Sequence, residues 1–136
     1  MTAHQTLLPP GWPRPRGYAN GVAATGRMVF TAGVVAFDAH ERIVGDDLGS
    51  QFRQVLINTL AILAEAGAQP EHIVRMTWYV TSRDDYIASL PAIGEAYRTL
   101  IGRHFPAMAV VEVAGLVEAD ARIEIETTAV VPPAGA

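Results

Sequence analysis

The chain has 136 residues, a formal net charge of −4 and no cysteine. Half of the residues are apolar and 18% are charged, which describes one folded domain with a core and excludes a disordered chain. The missing cysteine excludes a disulfide framework, a thiol nucleophile and thiolate metal sites, and the acidic balance lacks the basic excess expected of a nucleic-acid partner.

Residues 1–17, "MTAHQTLLPPGWPRPRG", are rich in Pro and Gly and read as an extended N-terminal arm. They hold no long apolar core of the kind that marks a secretion signal. No apolar run in the chain approaches the length needed to span a bilayer. A cytoplasmic protein without a membrane partner is the expectation.

From Tyr18 the pattern changes. "YANGVAATGRMVFTAGVVAF" holds two apolar segments joined around Ala24–Gly26 and reads as a β-hairpin. The polar stretch "DAHERIVGDD" then leads into a helix from about Leu48 to Ala66. There Phe52, Val55, Leu56, Thr59, Leu60 and Leu63 recur at helical spacing and define one buried stripe. Asp46 and Asp47 suit the positive N-terminal end of that helix, and Gly67 stands where a left-handed cap belongs.

"HIVRMTWYVTS" alternates, with Val74, Met76, Trp78 and Val80 on one face and Arg75, Thr77, Tyr79 and Thr81 on the other. Pro91 cannot sit within a helix, because it lacks the donor N–H and clashes with the preceding turn. Asp84–Ser89 therefore reads as a short turn, followed by a helix that starts near Pro91 and buries Ile93, Tyr97, Leu100 and Ile101. "AMAVVEVAGL" and "ARIEIETTAVV" read as a closing hairpin about "VEAD".

The expected fold class is α+β, in the order β-β-α-β-α-β-β: a single mixed sheet with two helices on one face. The other face is left bare. Met108 and Val110 alternate with Val111 and Val113, so both faces carry apolar residues, and a bare apolar face predicts a homo-oligomer.

The C-terminal run "FPAMAVVEVAGLVEADARIEIE" resembles the signature of the Rid (reactive intermediate deaminase, YjgF-like) family. "GYANGV", "TAG" at Thr31–Gly33, and "EAGA" followed by "IVRMTWYV" fit the same pattern, so the resemblance covers Tyr18 to Val131. It implies a chorismate-mutase-like domain over residues 18–132 with a short tail at 133–136. It also implies a homotrimer whose sheets form a central barrel with small-molecule clefts between subunits. The activity implied is hydrolysis of enamines and imines, such as 2-aminoacrylate, to keto acids and ammonia.

Carried over by position, the resemblance makes Glu124 the glutamate that places the attacking water and Tyr18 a ligand contact. The arginine that clamps the substrate carboxylate falls at Met108. A small polar residue falls at Ala32, a frequent glutamine at Val34, and an asparagine of some members at Pro91. The implied substrate-binding set is Tyr18, Ala32, Gly33, Met108, Ala109 and Val110, and backbone amides near Gly33 and Ala109 are candidates to polarise a ligand. Methionine offers a carboxylate no hydrogen bond, where arginine offers two. The expected substrate therefore differs from 2-aminoacrylate and depends less on a carboxylate clamp. A trimer that binds a small metabolite without turning it over is the alternative.

The closing hairpin would set Glu112 beside Glu124 or Glu126, with Arg122, Arg75 or Arg27 to balance the carboxylates. Arg14, Arg16 and Arg103 are candidates to return a positive charge to the cleft, and His104 suits a helix C-terminus. The histidines at 4, 40, 72 and 104 lack ligand spacing, and no phosphate-binding glycine motif is present. Neither a metal nor a cofactor is expected.

Overall fold

In the computed structural model, which describes residues 4–135, the elements follow the alternation of the sequence. Strands β1 (Gln5–Leu7), β2 (Gly21–Ala23) and β3 (Arg27–Phe30) precede helix α1 (Leu48–Glu65). A 3-10 turn at Pro70–His72 leads into β4 (Ile73–Val80), then α2 (Arg83–Ala88), α3 (Leu90–Leu100), β5 (Ala107–Glu112) and β6 (Ile123–Val131). Residues 1–3 of the expected arm and residue 136 of the expected tail lie outside the described residues.

The main sheet has the order β3-β6-β4-β5, with β5 parallel to β4 and β6 antiparallel to both β3 and β4. Both expected hairpins are therefore corrected. The strands β5 and β6 flank β4 and never pair with each other. In β6, Ile123, Ile125 and Ala129 are fully buried, whereas every residue of β5 is half-buried or exposed. The strand with the strongest apolar row takes an inner position, and the connection 113–122 carries the chain across β4 to reach it. Likewise β2 pairs with β1 from the arm, and β3 pairs with β6. The "ATG" corner hands the chain from one ribbon to the other. There Gly26 lies so close to β6 that a Cβ on it would meet the Val131 carbonyl oxygen at 2.0 Å.

Helix α1 begins as its sequence dictates. Asp47 is the N-cap, its carboxylate accepting from the Ser50 amide at 2.8 Å, while the Ser50 hydroxyl faces back to the Asp47 amide. Gly67 follows the helix at φ 73°. The expected stripe is buried except for Leu60, which is half-buried. Phe52 packs against Trp78 of β4 with tilted rings and centroids 4.8 Å apart. Pro91 stands in the first turn of α3, as its chemistry requires, and the expected turn before it is the short helix α2, so the described residues hold three α-helices.

A bulge between Ile73 and Arg75 shifts the start of β4. Ile73 takes the buried position and Val74 leaves it, a correction to the simple alternation, which holds from Met76 onward. The helices cover the face of Met76, Trp78 and Val80. On the opposite face, Met28, Phe30, Ala109 and Val111 share the surface with Thr77, Tyr79, Glu124, Glu126 and Thr128. That face is mixed, not uniformly apolar, although Met28 and Phe30 are 58% and 63% exposed.

Candidate functional site

Three glutamates sit in strands, and their surroundings separate them. Glu112 ends the edge strand β5, where its carboxylate accepts from the Arg83 amide at 2.7 Å. Glu126 accepts from the Tyr79 hydroxyl at 2.6 Å, and this bond pushes the tyrosine's pKa up. Glu124 makes neither a hydrogen bond nor an ion pair among the described residues. Its half-buried side chain lies against Gly33, where a Cβ would fall 2.8 Å from both Cδ and Oε2.

Main-chain geometry creates that contact. Beyond β3 the chain keeps bonding to β6, through Thr31 to Thr127 and through Val34 to Ile125 in both directions at 2.8 and 2.9 Å. Ala32 and Gly33 bulge out of this ladder, and Gly33 comes to rest on Glu124. Of the expected balancing arginines, Arg75 lines a recess together with Glu126, and the other two are engaged elsewhere. Arg122 pairs with Asp85 at 3.6 Å, and Arg27 donates to the Ala66 carbonyl. With β5 and β6 held apart by β4, Glu112 does not face Glu124, and the expected crowding of carboxylates does not arise.

A cavity of about 610 Å³ opens on the helix-covered side, between α2, α3 and β5. Tyr18, Met108 and Val110 line it, as do Arg16 from the arm and Arg98 from the last turn of α3. Its remaining walls include Trp78, Tyr86, Tyr97 and Phe105. Tyr97 and Phe105 stack with centroids 5.6 Å apart, and the Tyr97 hydroxyl donates to the His104 carbonyl at 2.5 Å. Burial pushes the pKa of Tyr97 well above the ordinary tyrosine range. His104 lies beyond the end of α3 and bonds through Nε2 to the Ile73 carbonyl at 2.6 Å, so it locks β4 rather than capping a helix.

The expected site residues thus fall into two groups on opposite faces of one sheet. Tyr18, Met108 and Val110 face the cavity, whereas Gly33 and Glu124 meet on the other side with Ala32 beside them. Ala109 pairs with Thr77 in that second face's row. Of the three candidate cations only Arg16 lines the cavity, while Arg14 and Arg103 do not. The sequence does not mark Arg98, Tyr86 or Phe105 as site residues, and it places Trp78 and Tyr97 only on buried faces. Arg98 lies four residues after Gly94, and that (i, i+4) spacing on α3 is the signal that could have found it. Among the described residues no group of three His, Asp or Glu side chains could hold a metal ion. Nor is any helix long and apolar enough to cross a membrane.

A mixed four-stranded sheet with helices on one face, an aromatic cavity beneath them and a carboxylate behind that is unpaired among the described residues defines an α+β fold with one concave apolar site. The model of the family described as endoribonuclease L-PSP matches residues 13–131. The chain is 40% identical over 113 residues to a 2-iminobutanoate/2-iminopropanoate deaminase of Salmonella typhimurium, covering 83% of this chain and 86% of that one. The Escherichia coli protein of the same name is 38% identical over the same shares. Among solved structures, the conserved Rid-family protein YyfB of Yersinia pestis superposes with a TM-score of 0.81 at 32% identity, covering 95% of this chain and 99% of that chain. The YjgF gene product of E. coli gives 0.68 at 35% identity, covering 93% and 98%. The chain belongs to this endoribonuclease L-PSP family, the Rid (YjgF-like) proteins.

Proposed function

We propose that the protein is a homotrimeric deaminase that hydrolyses the carbon–nitrogen bond of an imine or enamine. Glu124 is the group that positions and deprotonates the water. The observation that carries this reading is the contrast among the strand glutamates: two are tied by hydrogen bonds, and Glu124 alone is free, seated on a glycine that leaves it room. The names of the similar deaminases support it.

A protonated imine carbon is already electrophilic, so positioned water and one base of suitable pKa suffice. Water attacks that carbon, a C–O bond forms, and the water proton passes to the Glu124 carboxylate. The proton then moves to nitrogen, the hydroxyl of the adduct gives its own proton to the Glu124 carboxylate as the C–N bond breaks and the carbonyl forms, and the departing ammonia takes that proton and leaves as ammonium. An enamine first takes a proton at carbon to give the same imine.

One chain holds its cavity and its free carboxylate on opposite faces of the sheet, so it cannot present both to one ligand. A trimer resolves this by setting the Glu124–Gly33 side of one protomer against the cavity of the next. The exposed Met28 and Phe30 are suited to being covered in such an assembly.

The test combines turnover with subunit mixing. Glu124→Gln should abolish ammonia release from 2-imino acids while the fold and a sedimenting mass three times 14.6 kDa persist. A second inactive variant, Met108→Trp, fills the cavity. Mixed trimers of the two should regain part of the activity, because some seams then pair an intact cavity with an intact Glu124. Unchanged turnover in Glu124→Gln removes that residue from the mechanism. A monomer in sedimentation removes the shared site, and ligand-induced stabilisation without ammonia release assigns binding alone.

A further inference from the structure

We propose that the cavity beneath α3 selects a carboxylate with a bulky apolar or aromatic body, and that Arg98 and Arg16 hold its anionic head. This names the ligand class for the site in the deaminase reading, and it rests on that reading for turnover but not for binding.

Charge points to the head group. Among the described residues, Arg16 and Arg98 are the only charged ones lining the cavity. Neither makes a hydrogen bond or an ion pair among the described residues, whereas Arg27, Arg42 and Arg122 each have a partner. Two unpaired guanidinium groups at one concave apolar site attract an anion, and the planar fork of arginine matches a carboxylate. Gly94 favours the pose of Arg98. A Cβ at position 94 would fall 3.2 Å from Arg98 Nη1, so the guanidinium lies back across its own helix close over Gly94, where an added methyl would make it give by a few tenths of an ångström. Glycine is otherwise a poor residue for a helix interior.

The walls point to the body. Besides the aromatic residues, Ile93, Met108 and Val110 face the space, and the Tyr97 hydroxyl is already engaged with a main-chain carbonyl. With Met108 and Val110 on its floor, the cavity offers little to a small polar imino acid. Its volume of about 610 Å³ exceeds what a three-carbon acid needs and suits a larger apolar ligand. Methionine, flexible and polarizable, packs readily against such a body.

The test uses inert probes, so that binding is read apart from turnover. Wild-type protein in its native oligomeric state is titrated calorimetrically with 3-phenylpropionate, propionate and 3-phenylpropanamide. The aromatic acid should bind about ten- to a hundredfold more tightly than propionate, from burial of the ring. It should exceed the amide by about tenfold or more, from the charge-assisted bonds. Arg98→Gln should remove most of the preference for acid over amide and leave the amide affinity unchanged, which a merely structural role for Arg98 would not do. Gly94→Ala keeps the charge and shifts the guanidinium by only a few tenths of an ångström, so it should weaken the acid less than Arg98→Gln does and leave the amide unaffected. Equal binding of acid and amide, no detectable binding of the aromatic acid, or an unchanged preference in Arg98→Gln overturns the proposal. Ammonia release is measured in parallel. Selective binding without turnover refutes the deaminase reading and leaves this one standing, whereas turnover without selectivity does the reverse.

Discussion

Gly33→Ala asks whether the placement of the Glu124 carboxylate matters or only its presence. The backbone at Gly33 is not in the left-handed region, so alanine is conformationally acceptable there. The added methyl would lie 2.8 Å from Glu124 Cδ and Oε2 and 3.2 Å from Cγ. Normal carbon–oxygen and carbon–carbon contacts are about 3.5–4.0 Å, so the carboxylate must retreat by roughly 1 Å. The atoms in the way are the end of a flexible side chain, so stability should change by no more than about 1 kcal/mol. Turnover should suffer far more, because a displacement of about 1 Å at a reacting group costs up to about a hundredfold. We expect kcat/KM for a 2-imino acid, followed by coupled ammonia detection, to fall about ten- to a hundredfold. That corresponds to about 1.4–2.7 kcal/mol of barrier. Urea unfolding of the same sample checks that the fold is intact. A Gly33→Ala enzyme with wild-type kcat/KM would refute the claim that the glycine positions the base, and a protein that fails to fold would refute the reading of the contact as soft.

Two further outcomes concern the frame around the site. Gln51→Ala removes a buried amide that donates to the Gly45 and Asp120 carbonyls at 3.1 and 3.0 Å and accepts from the Arg122 amide at 2.8 Å. It should cost about 2–4 kcal/mol in chemical denaturation, and amide exchange should rise around 45 and 120–122. Tyr97→Phe should lose about 1 kcal/mol at neutral pH, since the bond to the His104 carbonyl disappears. Because burial raises the tyrosine's pKa in the fold, its neutral form favours the folded state. That contribution is complete below the unfolded value near 10 and is lost as pH climbs toward the folded one. The alkaline decline in stability should therefore be shallower in Tyr97→Phe, with Tyr79 and Tyr86, whose pKa values are also raised, keeping the remainder of the slope.

The elements of this protein follow from local chemistry in the chain. The i, i+3, i+4 stripe from Phe52 to Leu63 and the Asp47 cap fix α1, and Pro91 can only begin a helix. Glu124 could be singled out within "IEIE" by resemblance, but nothing local distinguished its surroundings from those of Glu126. That distinction arises because Tyr79, a residue of β4, bonds one carboxylate and Gly33, beyond β3, makes room for the other. Strand pairing was likewise beyond local reading. A turn motif such as "VEAD" suggests that its flanking strands are neighbours, yet sheet order is set by which strand buries the most apolar surface, and β6 wins the inner place over β5. The cavity with Arg16, Arg98 and Met108 joins the arm, a helix end and an edge strand that lie far apart in the chain. Periodicity and propensity act over a turn or two of chain and decide the elements. Long-range burial decides which elements touch, and so which charges meet.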